Sequence, residues 1–357
     1  MKSLAVFALL FAAAVHAQTT PPATAVPDDK PSYKVGAVLF GDYTYQQSPR
    51  IVDIDGNAVH PSSFNVTRAY INLTGQLNHR IAFRITPDIV RETGSGSSIS
   101  GSQTFRLKFA YAQLNLDDWT TKGSWIRGGL HQTPFIDYTE QIYRYRFQGP
   151  IFVDREGFVS ASDNGLSAHW NAPGDYGDVH AGIYNGETFT RAEPNNEKGF
   201  EIRGSVRPFP RGTALTKGLR FTAFAILDQY VESAARQRLV GQVTYEHPRL
   251  NAGVDVLRAT DQASERLPEV DARGFSVWAT PKLPHHLELL LRHDELRPNT
   301  STSQKRRRNI AGLAYWVPNL DKVTAAVMAD YESVDQRAFT PDRPDERRVG
   351  VKMLISF

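Results

Sequence analysis

From Lys34 to Phe357 apolar and polar residues alternate with a period of two, the spacing of strands whose two faces meet different surroundings. Ala69, Ile71, Leu73, Gly75 and Leu77 share one face, while Arg68, Tyr70, Asn72, Thr74 and Gln76 share the other. Ile81, Phe83 and Ile85 alternate with Arg80, Arg84 and Thr86, and Leu287, Leu289 and Leu291 with Glu288 and Arg292. The last such run sets Val349, Val351, Met353, Ile355 and Phe357 against Arg348, Gly350, Lys352, Leu354 and Ser356. Sixteen segments of this kind begin near Lys34, Phe64, His79, Phe105, Gly123, Gly165, Asp178, Lys198, Gly218, Arg236, Leu250, Ala272, His285, Arg307, Lys322 and Glu346.

The links between these segments decide between a soluble sandwich, in which the oily face is the core, and a membrane barrel, in which it meets lipid. Short turns such as Leu77-Asn78-His79, His247-Pro248-Arg249 and Lys282-Leu283-Pro284 take turns with long polar links. The longest of these runs from Gln132 to Asn164. Two links break the rule: Arg207 to Lys217 is long for its side, and the one after Gln229 is short. Alternating link lengths and an even strand number predict an all-β fold, a transmembrane antiparallel β-barrel of 16 strands whose third long loop folds inward. Tyr43, Tyr45, Trp119, Trp125, Tyr245, Tyr315, Trp316 and Tyr331 lie near strand ends, where an interfacial girdle would sit.

The N-terminus adds an address. Lys2 precedes an apolar run from Leu4 to Val15 and an Ala17 suited to signal peptidase, so residues 1–17 are expected to be a cleaved signal peptide. About twelve apolar residues are too few to span a bilayer. Residues 18–33 form a Pro- and Thr-rich arm that cannot pack a core, and 34–357 are the barrel. The 357 residues contain no cysteine, which excludes disulfide scaffolds, thiol catalysis and thiolate metal sites. A net charge of +3 is too small to point to nucleic acid.

The segments Phe64 to Asp88 (FNVTRAYINLTGQLNHRIAFRITPD), Phe105 to Leu116 (FRLKFAYAQLNL), Gly128 to Phe135 (GGLHQTPF) and His180 to Gly186 (HAGIYNG), with the closing strand, resemble the phosphate-selective porin O and P family of bacterial outer-membrane porins. The resemblance implies a sixteen-stranded homotrimer with its third loop in the lumen. It also implies that the barrel-assembly machinery recognises the terminal Phe357. A basic constriction ladder cannot be matched residue by residue, so phosphate specificity does not carry over.

Within the third loop, Phe135, Ile136, Tyr138, Ile142 and Phe147 are expected to pack on the wall, leaving Tyr143, Arg144, Tyr145 and Arg146 to line the constriction. The polar strand faces place Arg68, Arg80, Arg84, Arg127, Arg203, Arg220, Arg238, Arg292, Arg348 and Lys352 in the lumen, against Asp42, Asp88, Glu201, Asp255 and Glu288. Ten cations facing five anions favour anions, unless Arg and carboxylate pair across strands. Lys305 to Arg308 could draw anionic solutes to the mouth or bind lipopolysaccharide phosphates. His285 and His286, adjacent in a strand, would point to opposite faces, and His131 and His180 read as pore-lining or strand-end residues. No catalytic constellation, metal spacing or cofactor motif is found.

The expected function is passive diffusion of small hydrophilic solutes across the outer membrane, with anion preference; phosphate and other small anions are candidates. A substrate-specific channel for sugars or organic acids is the alternative, and a non-conducting barrel serving as adhesin or rim enzyme is a third. Expected partners are the bilayer, lipopolysaccharide, two further copies of the chain and small anionic or neutral solutes.

Overall fold

A computed structural model describes residues 29–94 and 96–357. The expected signal peptide and most of the arm lie outside the described residues. The chain runs through β1 (Ser32–Ser48), a small hairpin of β2 (Ile51–Val52) and β3 (Ala58–Val59), then β4 (Ser62–Gln76), β5 (Ile81–Arg91), β6 (Gln103–Asn115) and β7 (Trp125–Gln132). After a long loop come β8 (Ser162–Asn171), β9 (Gly177–Tyr184), β10 (Gly199–Val206), β11 (Leu219–Val231), β12 (Ala234–His247) and β13 (Leu250–Asp261). The series ends with β14 (Val270–Pro281), β15 (Leu287–Arg297), β16 (Lys305–Trp316), β17 (Thr324–Arg337) and β18 (Glu346–Ser356).

Leaving out the β2–β3 hairpin, sixteen strands form one closed antiparallel barrel, each paired with its neighbours in sequence, and β1 closes the ring against β18. Closure satisfies the backbone groups of every strand, which an open sheet in lipid cannot do. At the seam Tyr43 lies opposite Val351 and Asp42 opposite Lys352, so apolar meets apolar outside and charge meets charge inside. Gly36 is required there, because a Cβ would come within 2.6 Å of the Phe357 carbonyl oxygen.

The oily strand faces point outward. Leu166, Ile183, Leu227, Leu239 and Val256 are each more than half exposed, and an apolar surface running right round a barrel suits lipid rather than water. Among the described residues no helix is long and apolar enough to cross a membrane, so the strands alone could span one. Both link-length exceptions are present: residues 207–218 form a long turn, while Glu232 and Ser233 alone join β11 to β12. The aromatic girdle needs correcting. Tyr315 and Tyr331 face outward, but Trp125 and Trp316 turn inward, under Arg127 and against Tyr145 respectively. His285 and His286 sit in the turn before β15 with φ of 61° and 62°, not in the strand.

At the short-turn end, Asp29 of the arm accepts from the backbone N–H of His79 at 3.2 Å and meets its imidazole. Asp118 lies 3.0 Å from the other ring nitrogen and 2.8 Å from Arg80 Nε. Hydrogen bonds donated by its ring nitrogens to the Asp29 and Asp118 carboxylates push the His79 imidazole above its ordinary value of 6.5.

Candidate channel constriction

The loop between β7 and β8 lies inside the barrel, and its sequence shows how it is held. Helix α1 (Ile136–Tyr143) buries Ile136, Thr139, Ile142 and Tyr143, a three-to-four residue spacing that makes one buried stripe. Arg144 ends it in the left-handed region, φ 65°, and turns the chain toward α2 (Phe152–Arg155). The stripe and the rest of the loop form one buried cluster with lumen-side residues of β11 to β18, including Phe224, Val240, Leu257, Leu290 and Met328. Phe135 stacks on Phe224 with centroids 5.1 Å apart, and Phe147 meets Trp316 edge-on at 6.0 Å. Each such burial is worth about 1.5–3 kcal/mol.

Two predicted constriction residues are corrected. Tyr143 is 1% exposed and Tyr145 0%, because the helix carries Tyr143 onto Trp278 (5.2 Å) and the following turn stacks Tyr145 on Phe147 (5.5 Å). Arg144 and Arg146 keep partial exposure. Arg144 lies over the Trp316 ring at 4.5 Å and 3.9 Å from Glu288; Arg146 pairs with Glu140 at 2.7 Å and Asp154 at 3.2 Å.

The ten predicted lumen cations separate into groups. Arg203, Arg238 and Arg292 point inward, yet they are buried beneath the loop and hold its carbonyls: Pro134 at 2.7 Å, Phe158 at 3.1 Å and Pro150 at 2.8 Å. A loop without its own ladder needs donors for these oxygens, and a guanidinium supplies five. Arg220 joins them by donating to the Tyr138 hydroxyl at 3.4 Å. Carboxylates neutralise most of this group, from the neighbouring strand for Arg203 with Asp178 and Arg238 with Asp261, and from two residues along the same strand for Arg292 with Asp294. Arg80 is in the turn before β5, 49% exposed, and belongs to the Asp118 cluster rather than to a strand face. Arg348 pairs with Glu346, and Lys352 with Asp42 at 3.2 Å. The inward anion count was also too low, since Asp228, Asp294, Asp330 and Glu332 are buried on the same faces and Asp178 is half-buried there.

A different sector remains basic. On β4 to β7, Arg68 has Asp88 at 3.1 Å, but its neighbours are held by neutral groups. Arg84 donates to Asn72 at 2.7 Å and Thr86 at 2.9 Å; Arg127 donates to Gln113 at 2.7 Å and Gln132 at 3.0 Å. An amide oxygen anchors a guanidinium without cancelling its charge. Arg84 lies 4.4 Å over Phe109, Arg127 3.7 Å over Trp125 and Arg106 4.6 Å over Phe189. Arg106 and Lys108 were missed because a bulge interrupts β6: Thr86 faces Phe109 and Pro87 faces Leu107, so the inward phase switches between Lys108 and Phe109. Two open cavities adjoin this sector, and only the first is also lined by the loop. The first, about 400 Å³, is lined by Arg68, Arg146, Arg155, Arg348, Lys352 and Asp42 among others; the second, about 320 Å³, includes Lys34, Thr74, Arg84 and Gln113.

His131 and His180 are buried and share the Ser167 hydroxyl at 2.7 and 3.0 Å. His131 Nδ1 is 2.8 Å from the Gly129 carbonyl and must donate there, so Ser167 donates to His131 and His180 donates to Ser167. They brace the wall beneath the loop.

No protein-family model matches the chain, and no curated protein sequence does. Solved structures do. The outer-membrane channel DcaP of Acinetobacter baumannii superposes with a TM-score of 0.59 at 12% identity, over 92% of this chain and 98% of that one. The anion-selective porin from Comamonas acidovorans gives 0.60 at 12% identity, over 92% and 99%. OmpT of Vibrio cholerae, in a trimer form, gives 0.58 at 12% identity, over 91% and 100%. At such identities the likeness is one of fold: the chain has the closed sixteen-stranded barrel of outer-membrane porins.

Proposed function

We propose that the protein is an outer-membrane porin, a water-filled channel for passive diffusion of small hydrophilic solutes with a preference for anions. The carrying observation is the β4–β7 sector, where Arg84 and Arg127 rest on amides and aromatic rings and keep their charge toward the lumen. A low-dielectric wall concentrates that field on passing ions. The long loops then face outward. Cleavage of the signal peptide, a homotrimer and recognition of Phe357 by the assembly machinery belong to the same proposal. So does membership of the phosphate-selective O and P family, which rests on the sequence blocks and makes phosphate one of the anions to try.

The test is single-channel recording in planar bilayers under a potassium chloride gradient. Steady open current with a reversal potential favouring chloride supports the reading; absence of current from folded protein would leave an adhesin or rim enzyme. Deleting Gln141 to Gln148 and bridging with Gly-Ser should raise conductance and weaken selectivity. Trimer dissociation with unchanged conductance would make the loop an interface element instead. The cation–aromatic pairs favour one second reading, a channel specific for organic acids, which predicts current blocked by millimolar solute.

A further inference from the structure

On the outer wall near the long-loop end, Arg258 of β13 lies directly opposite Arg273 of β14, and Arg273 directly opposite Arg297 of β15. All three are exposed, because their sequence neighbours Leu257, Ala272 and Leu296 fill the inward positions. Directly opposed residues of an antiparallel pair are about 4.5–5.5 Å apart at Cα, and like charges so placed repel. Among the described residues none of the three side chains has an ion pair or hydrogen bond. Glu295, one register step away opposite Phe275, is already held by Lys305 and Arg307, each at 2.9 Å. Asp271 accepts the Thr260 hydroxyl at 2.7 Å. On the other side of the row, toward the middle of the barrel, Val256 and Phe275 oppose each other on the apolar outer surface.

A row of unpaired guanidinium groups at the upper edge of a lipid-facing belt is costly unless an anion completes it. We propose that Arg258, Arg273 and Arg297 bind the phosphate groups of a phosphorylated glycolipid of the outer leaflet. The site presents planar N–H forks, which match phosphate oxygens two at a time, directly above apolar wall that acyl chains can cover. That adjacency favours a lipid over a free anion. The inference rests on the outer-membrane placement proposed above, and it moves the anionic-lipid contact away from Lys305 to Arg308, whose charges are paired within the protein.

The test uses the full-length mature protein in detergent and measures retention of bisphosphorylated lipid A by native mass spectrometry. The wild type should hold it, and R258Q/R273Q/R297Q should bind it at least about tenfold more weakly. The lysine triple variant should retain most binding, and Arg211→Gln, in the turn at the far end, all of it. Dephosphorylated lipid A should bind as poorly to the wild type as the phosphorylated lipid does to the glutamine variant. Should the triple variant fail to fold, R273Q alone must show a several-fold loss. Undiminished binding by the folded glutamine variants, equal binding of dephosphorylated lipid A, or displacement by equimolar inorganic phosphate would each overturn the proposal. Conductance of the triple variant should equal that of wild type, since the row lies outside the lumen. A barrel that holds the lipid and passes no current would defeat the porin reading while upholding this one.

Discussion

Arg306, on the wall strand β16, donates to Glu156 of the inward loop at 2.5 Å. Arg308, two residues on and facing the same way, lies 3.7 Å from the same carboxylate. The alternation of one strand thus divides a basic run that looks uniform in sequence. Lys305 and Arg307 serve Glu295 on the outer face, whereas Arg306 and Arg308 tether the loop within.

Glu156 is buried against two guanidinium groups, so Glu156→Gln should loosen the end of the loop rather than unfold the barrel. The expected cost is about 1.5–3 kcal/mol for a hydrogen-bonded charged group. Bilayer recordings should show more current noise, and limited proteolysis should cut within residues 149–161. Noise indistinguishable from wild type would show that the tether does not control the loop.

Arginines resting on amides and arginines holding the loop should behave differently. Arg84→Gln with Arg127→Gln should lower the chloride-to-potassium permeability ratio roughly several-fold. Arg203→Gln should leave the ratio nearly unchanged while lowering thermal stability, because its positive charge is already offset by Asp178 and it binds the Pro134 carbonyl. Equal shifts in selectivity for both would dissolve the distinction.

Tyr143 separates a wall residue from a pore residue. Tyr143→Phe loses a 3.3 Å hydrogen bond from Arg292, about 1 kcal/mol. Tyr143→Ala opens a cavity beside Trp278 and should cost about 3–5 kcal/mol, as for other large buried rings. The heat-induced unfolding midpoint in detergent reads both. If Tyr143→Ala widened the channel with no loss of stability, the buried placement would be wrong.

The arm contact should depend on pH through His79. Because Asp29 and Asp118 raise its imidazole, the contact is complete below the ordinary histidine value of 6.5 and is lost as pH rises through the elevated one. The two carboxylates, themselves held below 3.8, give way only in strong acid. A spin label in the arm should therefore be immobile at about pH 5 and mobile at about pH 9. His79→Gln should show no such transition.

The strands were legible because lipid imposes a strict rule: each outward position must be apolar, so a period of two survives along segments such as Val349 to Phe357. Loop placement was legible too, since Phe135, Ile142 and Phe147 have no use in open water. The division of labour among arginines was not. Arg203 and Arg84 carry the same local pattern, and only the path of a loop from elsewhere in the chain decides which one meets a carbonyl. Tyr143 and Tyr145 were misplaced because four consecutive residues were assigned to the pore as one polar block, whereas the end of α1 and the turn after it bury the two tyrosine rings and leave only Arg144 and Arg146 partly exposed. Lys108 was hidden by a single extra residue in β6, which reverses the phase of everything before it.

The seam between β1 and β18 is the strand pairing most distant in sequence. Lys352 Nζ meets Asp42 at 3.2 Å across a separation of 310 residues, whereas each other strand finds its partners close by in sequence. Until β18 arrives, one edge of β1 keeps a row of unpaired N–H and C=O groups, a template for any passing strand. Contacts so distant in sequence also form slowly. The unfinished ring is thus most vulnerable at its oldest strand, and whatever shields that edge before insertion governs how much of the chain reaches its closed form.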